Sequence, residues 1–346
     1  MSSHGEEAAQ GHWGPPYLLY LVGAADDLAI KTARGLAHWR PEWCIGQYRR
    51  PDTRVTLGLP DMEPAMARAS GANTMVIGTA NAGGVMAREP IADIIAALDT
   101  GLNVVSGLHE KLRENADIVA AAARNGRVLF DAREYTRRIP VGNGRKRSGR
   151  RLLTVGTDCS VGKMYTALAI ERSMRKRGLA ADFRATGQTG IFIAGSGICV
   201  DAVIADFISG AAELLSPARE DGGWDLIEGQ GSLFHPSYAG VSLGLLHGSQ
   251  PDVFVVCHEP GREFVLGHEE FALPSIEETI DMTLRLGRRT NPAIRCAGVS
   301  LNTGAMDAVA AGELFARESA RLGMPVADPM RGGAEFERLV DACLAT

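Results

Sequence analysis

The run Leu152 to Met164 reads L-L-T-V-G-T-D-C-S-V-G-K-M, and it restricts the architecture more tightly than any other part of the chain. Its apolar residues ahead of Gly156 predict a buried strand, and the apolar-periodic stretch Tyr165 to Arg177 predicts a helix after the Gly-Lys pair. Backbone N–H groups in such a turn point inward, and the helix dipole adds positive potential, so the loop can hold phosphoryl groups without a large net charge. Lys163 supplies a mobile point charge. Cofactor binding is therefore assigned to Gly156, Thr157, Asp158, Cys159, Ser160, Val161, Gly162, Lys163 and Met164.

This P-loop departs from G-x-x-x-x-G-K-[ST] twice: Gly156 stands one position early, and Met164 replaces the hydroxyl residue. The missing Ser or Thr normally holds Mg²⁺, a hard ion with little affinity for a thioether. Metal-assisted ATP cleavage is disfavoured, with Thr157, Ser160 and Thr166 left as substitute hydroxyls. No metal ligand is assigned.

At 346 residues the chain exceeds the size at which single cores usually stop growing, so two domains are expected. Residues 1–15 read as a flexible tail. Tyr17 to Val22 predicts a strand, and Asp26 is positioned to cap a helix over Leu28 to Trp39. Strands at Thr74–Ile77, Asn103–Val105 and Val128–Phe130 alternate with helices at Ile91–Leu98 and Ile118–Ala123. The alternation resumes with strands at Leu152–Val155, Ala181–Ala185, Leu226–Glu228, Val253–Cys257 and Ile294–Leu301. The expected fold is α/β: a Rossmann-like parallel-sheet domain over 16–139, then a P-loop NTPase-like α/β domain over 151–346. Between them, 140–150 is a basic linker; seven basic residues from Arg137 to Arg151 lie among Pro140, Gly142, Gly144 and Gly149, with solvent as their expected surrounding and the phosphates of a bound ligand as the other reading. Asp201 and Asp206 are predicted on one helix as solvated or capping groups.

A formal charge of −5, from 36 basic and 41 acidic side chains, gives no global field for nucleic acid or anionic membrane. No apolar run approaches a bilayer span, and the six cysteines are scattered without a C-x-x-C pair, so a cytoplasmic protein with free thiols is expected. A homo-oligomer is the base-rate expectation.

Five motifs together carry a family resemblance: G-T-A-N-A-G-G (Gly78–Gly84), S-G-L-H (Ser106–His109), G-T-D-C-S-V-G-K (Gly156–Lys163), A-T-G-Q-T-G (Ala185–Gly190) and E-G-Q-G-S-L-x-H-P (Glu228–Pro236). Over nearly its whole length the chain resembles the D-glutamate N-acetyltransferases. The second domain is also similar to dethiobiotin synthetase, whose loop reads G-T-D-T-x-V-G-K-T. That likeness implies a Glu-Gly after a strand, matched by Glu228-Gly229, and an Asn after a later strand, matched by Asn302, which joins the cofactor-binding group. The first resemblance implies acetyl transfer from acetyl-CoA to the amine of D-glutamate, with the loop reused for the phosphates of the coenzyme.

Acyl transfer to an amine needs a base, an oxyanion stabiliser and alignment of the two reactants. Glu228 is the first candidate base, a structural acceptor being its other reading; His109 and His235, after Gly-containing turns, are further catalytic candidates. A dicarboxylate substrate calls for guanidinium forks, for which Arg88, Arg184 and Arg262 lie near predicted loop or strand ends. Asn81, Gly83 and Gly84 form a turn whose N–H groups suit a carboxylate or thioester oxygen, and Gln188 completes the substrate group. Cys159, inside the positive loop, is a possible acyl acceptor or a packing residue. Two competing readings are a Mg-ATP-dependent ligase or kinase of the dethiobiotin synthetase type, and a nucleotide-sensing regulatory module.

Overall fold

The computed structural model describes residues 13–79 and 88–345. Contacts divide the chain into two compact units: residues up to Tyr135 with Ile191–Cys199, and Thr136–Gly190 with Val200 onward.

In the first unit the order along the chain is β1 (Tyr17–Tyr20), α1 (Lys31–Trp39), β2 (Cys44–Tyr48), α2 (Pro64–Ala69), β3 (Thr74–Ile77), α3 (Arg88–Asp99), β4 (Asn103–Ser106), α4 (Ala116–Asn125) and β5 (Leu129–Asp131). The strands form one sheet in the order β2-β1-β3-β4-β5, every pair parallel. Four-residue strands with every side chain buried, such as β1, β3 and β4, are what a sheet covered on both faces requires. Leu18, Tyr20, Met75, Ile77 and Val104 pack with Ile94, Leu98, Ile118 and Ala122 from the helices. α4 is defined at both ends: the Asn115 side chain accepts from the Asp117 and Ile118 N–H groups, and Gly126 closes it in the left-handed conformation. Asp26 differs from expectation. It accepts from the Ala29 N–H, capping a turn that precedes α1, while the helix itself starts at Lys31 after Ile30.

The second unit contains β6 (Arg150–Gly156), α5 (Lys163–Lys176), β7 (Ala181–Arg184), the start of α6 (Gln188–Ala194), α7 (Ile208–Leu215), β8 (Trp224–Ile227), α8 (Ala239–Ser249) and β9 (Val253–His258). A hairpin of β10 (Phe264–Val265) and β11 (His268–Ala272) follows, then α9 (Ile276–Gly287), β12 (Arg295–Leu301), α10 (Ala308–Leu322), β13 (Val326–Ala327) and α11 (Gly333–Leu344). Six strands pair in the order β13-β12-β9-β6-β8-β7, all parallel. β6 lies between β8 and β9, so the strand order reverses at its carboxyl end, where open parallel sheets form their ligand crevice. The Rossmann-like and P-loop parts of the expected fold are both present.

The basic stretch is less solvated than its composition implies. Arg151 is fully buried and donates to the carbonyls of Ser148 and Pro217, while Arg147 donates to those of Ser216 and Gly248. Ser216 closes α7 and Gly248 lies in the last turn of α8, so this guanidinium satisfies carbonyls that helix ends leave without partners. Asp201 and Asp206 sit in two separate short turns, Val200–Ala202 and Ala205–Phe207, not on one helix. No described helix is long and apolar enough to cross a membrane.

Candidate active site

The loop leaving β6 is tied down by its own side chains. The Thr157 N–H donates to the Cys257 carbonyl at 3.1 Å, and its hydroxyl lies 3.0 Å from His258 Nδ1 at the end of β9. Asp158, fully buried, accepts from the Cys159 N–H at 2.7 Å through one oxygen. Its other oxygen accepts from Arg262 Nη1 at 2.9 Å and from the Leu266 N–H, in the β10–β11 hairpin, at 2.8 Å. Arg262 also donates to the Cys159 carbonyl at 2.8 Å and pairs with Glu259. This arginine clamps the loop, and its fork is already engaged.

Ser160 at φ +56° and Gly162 at φ +97° turn the chain into α5. The N–H groups of Ser160, Val161 and Gly162 have no acceptor among the described residues, which leaves a nest of donors at the positive end of a 14-residue helix. Lys163 is buried, and its Nζ donates to the Asp158 carbonyl at 2.6 Å. Burial holds its amine below the ordinary lysine range, opposed by the nearby Cys159, Cys257, Asp158 and Glu228.

Of the hydroxyls that might replace the missing one at Met164, Thr157 is paired with His258, and Thr166 bonds the Gly162 carbonyl and lies 2.8 Å from Ser300 Oγ. Only Ser160, exposed on the loop, is left to hold a magnesium ion, so the residues fit Mg-ATP poorly.

Glu228 follows β8, one strand from the loop, and is 5% exposed. Its Oε2 accepts from the N–H groups of Thr186 at 2.9 Å and Gly187 at 3.1 Å, so the A-T-G-Q turn after β7 holds the carboxylate. Oε1 accepts no hydrogen bond among the described residues. Burial pushes the carboxyl up to about 7, against the opposing pull of the two N–H groups and Lys163. A carboxyl that exchanges its proton near neutral pH, with one uncommitted oxygen, is suited to take a proton.

Gly229 lets β8 approach β6. A Cβ there would stand 1.7 Å from the Thr154 carbonyl oxygen and 3.0 Å from Lys163 Cδ. The Gly229 N–H also donates to the Thr154 hydroxyl at 3.0 Å. Gly229→Ala is expected to lower stability by at least about 1–3 kcal/mol and to displace both Lys163 and Glu228. A thermal melt and turnover measured on the same sample check this; an unchanged melting temperature would contradict it.

His235 is 3% exposed, with its ring 4.4 Å from that of Tyr238. Its Nδ1 accepts from the Ser237 N–H at 3.1 Å. That bond uses the Nδ1 lone pair, so the neutral ring carries its proton on Nε2 and offers a donor. Burial lowers its pKa below the usual histidine value, which keeps it in the neutral form. With Nδ1 so engaged, the neutral ring offers a donor at Nε2 and no free lone pair for a proton.

Asp158, Cys159 and His235 have potential metal-ligating atoms within 4.8 Å of one another. Both Asp158 oxygens are spent on N–H donors, leaving a thiol and one ring nitrogen, fewer than the three protein ligands of a catalytic zinc site.

Other sequence candidates are placed elsewhere. Arg184 pairs with buried Asp225 at 2.8 Å and also faces Asp182. Gln188 is the partly buried first residue of α6. Asn302 is exposed beyond β12, two strands from β6. His109 is exposed in the turn after β4, in the first unit. Arg88 begins α3 and only its backbone is described; Asn81, Gly83 and Gly84 lie outside the described residues. The sequence reading missed His258 and the Thr186 and Gly187 N–H groups; the available signal was their common place at the carboxyl end of a strand.

A doubly wound parallel sheet with a P-loop at its switch point, preceded by a Rossmann-like sheet, defines an α/β protein of the P-loop class. Residues 140–340 match the DUF1611_C P-loop domain and residues 49–135 the DUF1611_N Rossmann-like domain, both described as domains of unknown function. The chain belongs to this DUF1611 family. It is 47% identical over 321 residues to a D-glutamate N-acetyltransferase of Pseudoalteromonas sp, covering 93% of this chain and 97% of the relative. It is 48% identical over 330 residues to a D-glutamate N-acetyltransferase of Tritonibacter scottomollicae, covering 95% and 98%. The crystal structure of a DUF1611 family protein from Anabaena variabilis ATCC 29413 superposes with a TM-score of 0.83 at 29% identity, over 95% of this chain and 98% of that one.

Proposed function

We propose that this chain is an N-acetyltransferase that moves the acetyl group of acetyl-CoA to the amine of D-glutamate. The carrying observation is that one crevice holds a buried carboxylate titrating at about 7 beside a nest of unpaired N–H donors. Glu228 takes the ammonium proton of the acceptor through Oε1. The oxyanion on the thioester carbonyl is received by the N–H groups of Ser160, Val161 and Gly162, with Lys163 and the Nε2–H of His235 as further donors. The shared name of two relatives, each nearly half identical along almost the whole length, supports the same reaction and acceptor.

A second placement puts the coenzyme phosphates on the nest and the purine near Asn302, which lies two strand spacings, about 10 Å, away. One donor molecule does not satisfy both placements. The pantetheine arm, two amides with their flanking carbons, holds the thioester on the order of 15 Å from the diphosphate when extended. The groups that face Lys163 favour chemistry at the nest: Glu228 and Asp158 already answer its charge, and a phosphate would meet their carboxylates as repulsion.

Thiol release from acetyl-CoA across a panel of D- and L-amino acids tests the reaction, with D-glutamate expected to give the highest kcat/KM. Turnover that requires Mg-ATP and ignores acetyl-CoA would replace it with the ligase reading. Inhibition by 3′-phosphoadenosine 5′-diphosphate, compared between wild type and Lys163→Met, separates the placements; loss of inhibition in the variant marks phosphates on the nest.

A further inference from the structure

Among the thiols, Cys159 stands apart. Burial pushes Cys44, Cys296 and Cys343 up to about 12 and Cys257 up to about 11, and Cys199 is buried. The four raised by burial stay protonated and inert. Cys159 is partly exposed, within the loop that leaves β6. Its Sγ lies within 4.8 Å of a ring nitrogen of His235, and of the groups that answer the buried Lys163 charge it is the foremost. The next three N–H groups along the chain, those of Ser160, Val161 and Gly162, are the unpaired donors of the nest. Arg262 fixes the Cys159 carbonyl at 2.8 Å, so the residue is held in place.

We infer that Cys159 is the acyl carrier of this enzyme, taking acetyl from the donor thioester and passing it to the acceptor amine. The inference rests on the acetyl-transfer reading above and specifies its course. In the first half-reaction the Cys159 thiolate, facing the Lys163 ammonium and the Nε2–H of His235, attacks the thioester carbonyl. The tetrahedral oxyanion forms beside N–H groups that follow the nucleophile in sequence, the arrangement that oxyanion holes in acyl-enzymes commonly use. The bond from carbonyl carbon to coenzyme sulfur breaks, and the coenzyme leaves as a thiolate that takes a proton from solvent. One thioester has replaced another, so neither oxidant nor nucleotide hydrolysis is needed. In the second half-reaction Glu228 removes the ammonium proton of D-glutamate and the amine attacks the acetyl carbon. The attacking nitrogen gives its second proton to solvent, the bond to Cys159 Sγ breaks, and the thiolate returns as the amide forms.

This course places both half-reactions at the nest and gives the loop a use that needs no Ser or Thr after Lys163. It also accounts for a thiol where a phosphate clamp has no need of one.

The test uses the full chain with acetyl-CoA and no acceptor. Labelled CoA is expected to exchange into acetyl-CoA, and acid-quenched protein to carry a single acetyl group on the peptide containing Cys159, discharged when D-glutamate is added. Double-reciprocal plots at several fixed acceptor concentrations should run parallel. Cys159→Ala should lower kcat by at least 100-fold and abolish the exchange. Exchange absent in a wild-type preparation that acetylates D-glutamate, with intersecting plots, would overturn the acyl carrier and leave direct transfer standing. Cys159→Ala turning over within twofold of wild type would do the same. Failure of wild type to release thiol with any amino acid would instead remove the acetyltransferase reading itself. The exchange measurement needs no variant, so a misfolded Cys159→Ala does not blunt the test.

Discussion

Glu228→Gln is expected to lower kcat, and kcat/KM for D-glutamate, by a factor on the order of 10²–10⁴, the usual worth of a general base, while kcat/KM for acetyl-CoA changes little. The change keeps the shape of the side chain and one oxygen for the Thr186 and Gly187 N–H groups, so the turn that holds it survives. A pH profile separates this from a structural loss. With the carboxyl at about 7, wild-type kcat/KM should rise about tenfold per pH unit below neutrality and level off above it, because the working form is the ionised one. The variant should lose that limb.

Stability supplies an independent reading. The carboxyl is raised from 4.5 to about 7 by burial, so its ionisation costs the folded state about 3 kcal/mol. The sign follows from the direction: the cost is absent below 4.5, grows as pH rises, and is complete above about 7. Relative to wild type, the Gln variant should therefore gain stability between pH 5 and pH 8, as thermal melts at the two values will show. Wild-type turnover within threefold in the variant at pH 8 would remove Glu228 from the chemistry.

How far the fold is legible depends on which residues carry the signal. The strand Thr74–Ile77 is bounded in the structure as the sequence reading has it, because four buried apolar or β-branched residues lie between polar and glycine signals. β2 is not legible from C-I-G-Q-Y. Its glycine breaks the pattern for a tertiary reason: a Cβ at Gly46 would stand 2.8 Å from Met62 Sδ and 3.0 Å from the Pro60 carbonyl oxygen. Gln47, polar in mid-strand, is buried because its side chain bonds Thr56, Asp61 and the Leu57 N–H. Partners 9 to 14 residues away do not register in a local window.

The site follows the same division. The loop and Glu228 are read from motif and strand position, since both are local. The fates of the arginines are not, because a guanidinium answers whichever acceptor the fold brings to it. Arg184 meets Asp225, Arg262 meets Asp158, and Arg147 and Arg151 meet carbonyls around Ser216 and Pro217. None of those partners is near in sequence. The tautomer of His235 is also settled by one backbone N–H, that of Ser237, which the sequence reading did not weigh.

Lys163→Met is expected to lower kcat by a factor on the order of 10²–10³, the loss seen when one oxyanion donor is removed from a dry site. Methionine fills much of the same volume, so the packing of α5 against β6 should hold, with the hydrogen bond to the Asp158 carbonyl the local loss. The effect should also reach Glu228. Lys163 is the cation that pulls this carboxyl down against burial, and without it the carboxyl moves higher. The acid limb of the kcat/KM profile should therefore shift above about 7 in Lys163→Met. A combined Lys163→Met, Glu228→Gln variant should lose much less than the product of the two single losses, because both residues serve one reaction step. If the nest instead clamps the coenzyme phosphates, the same substitution raises KM for acetyl-CoA, leaves kcat at saturating donor near wild type, and multiplies fully with Glu228→Gln.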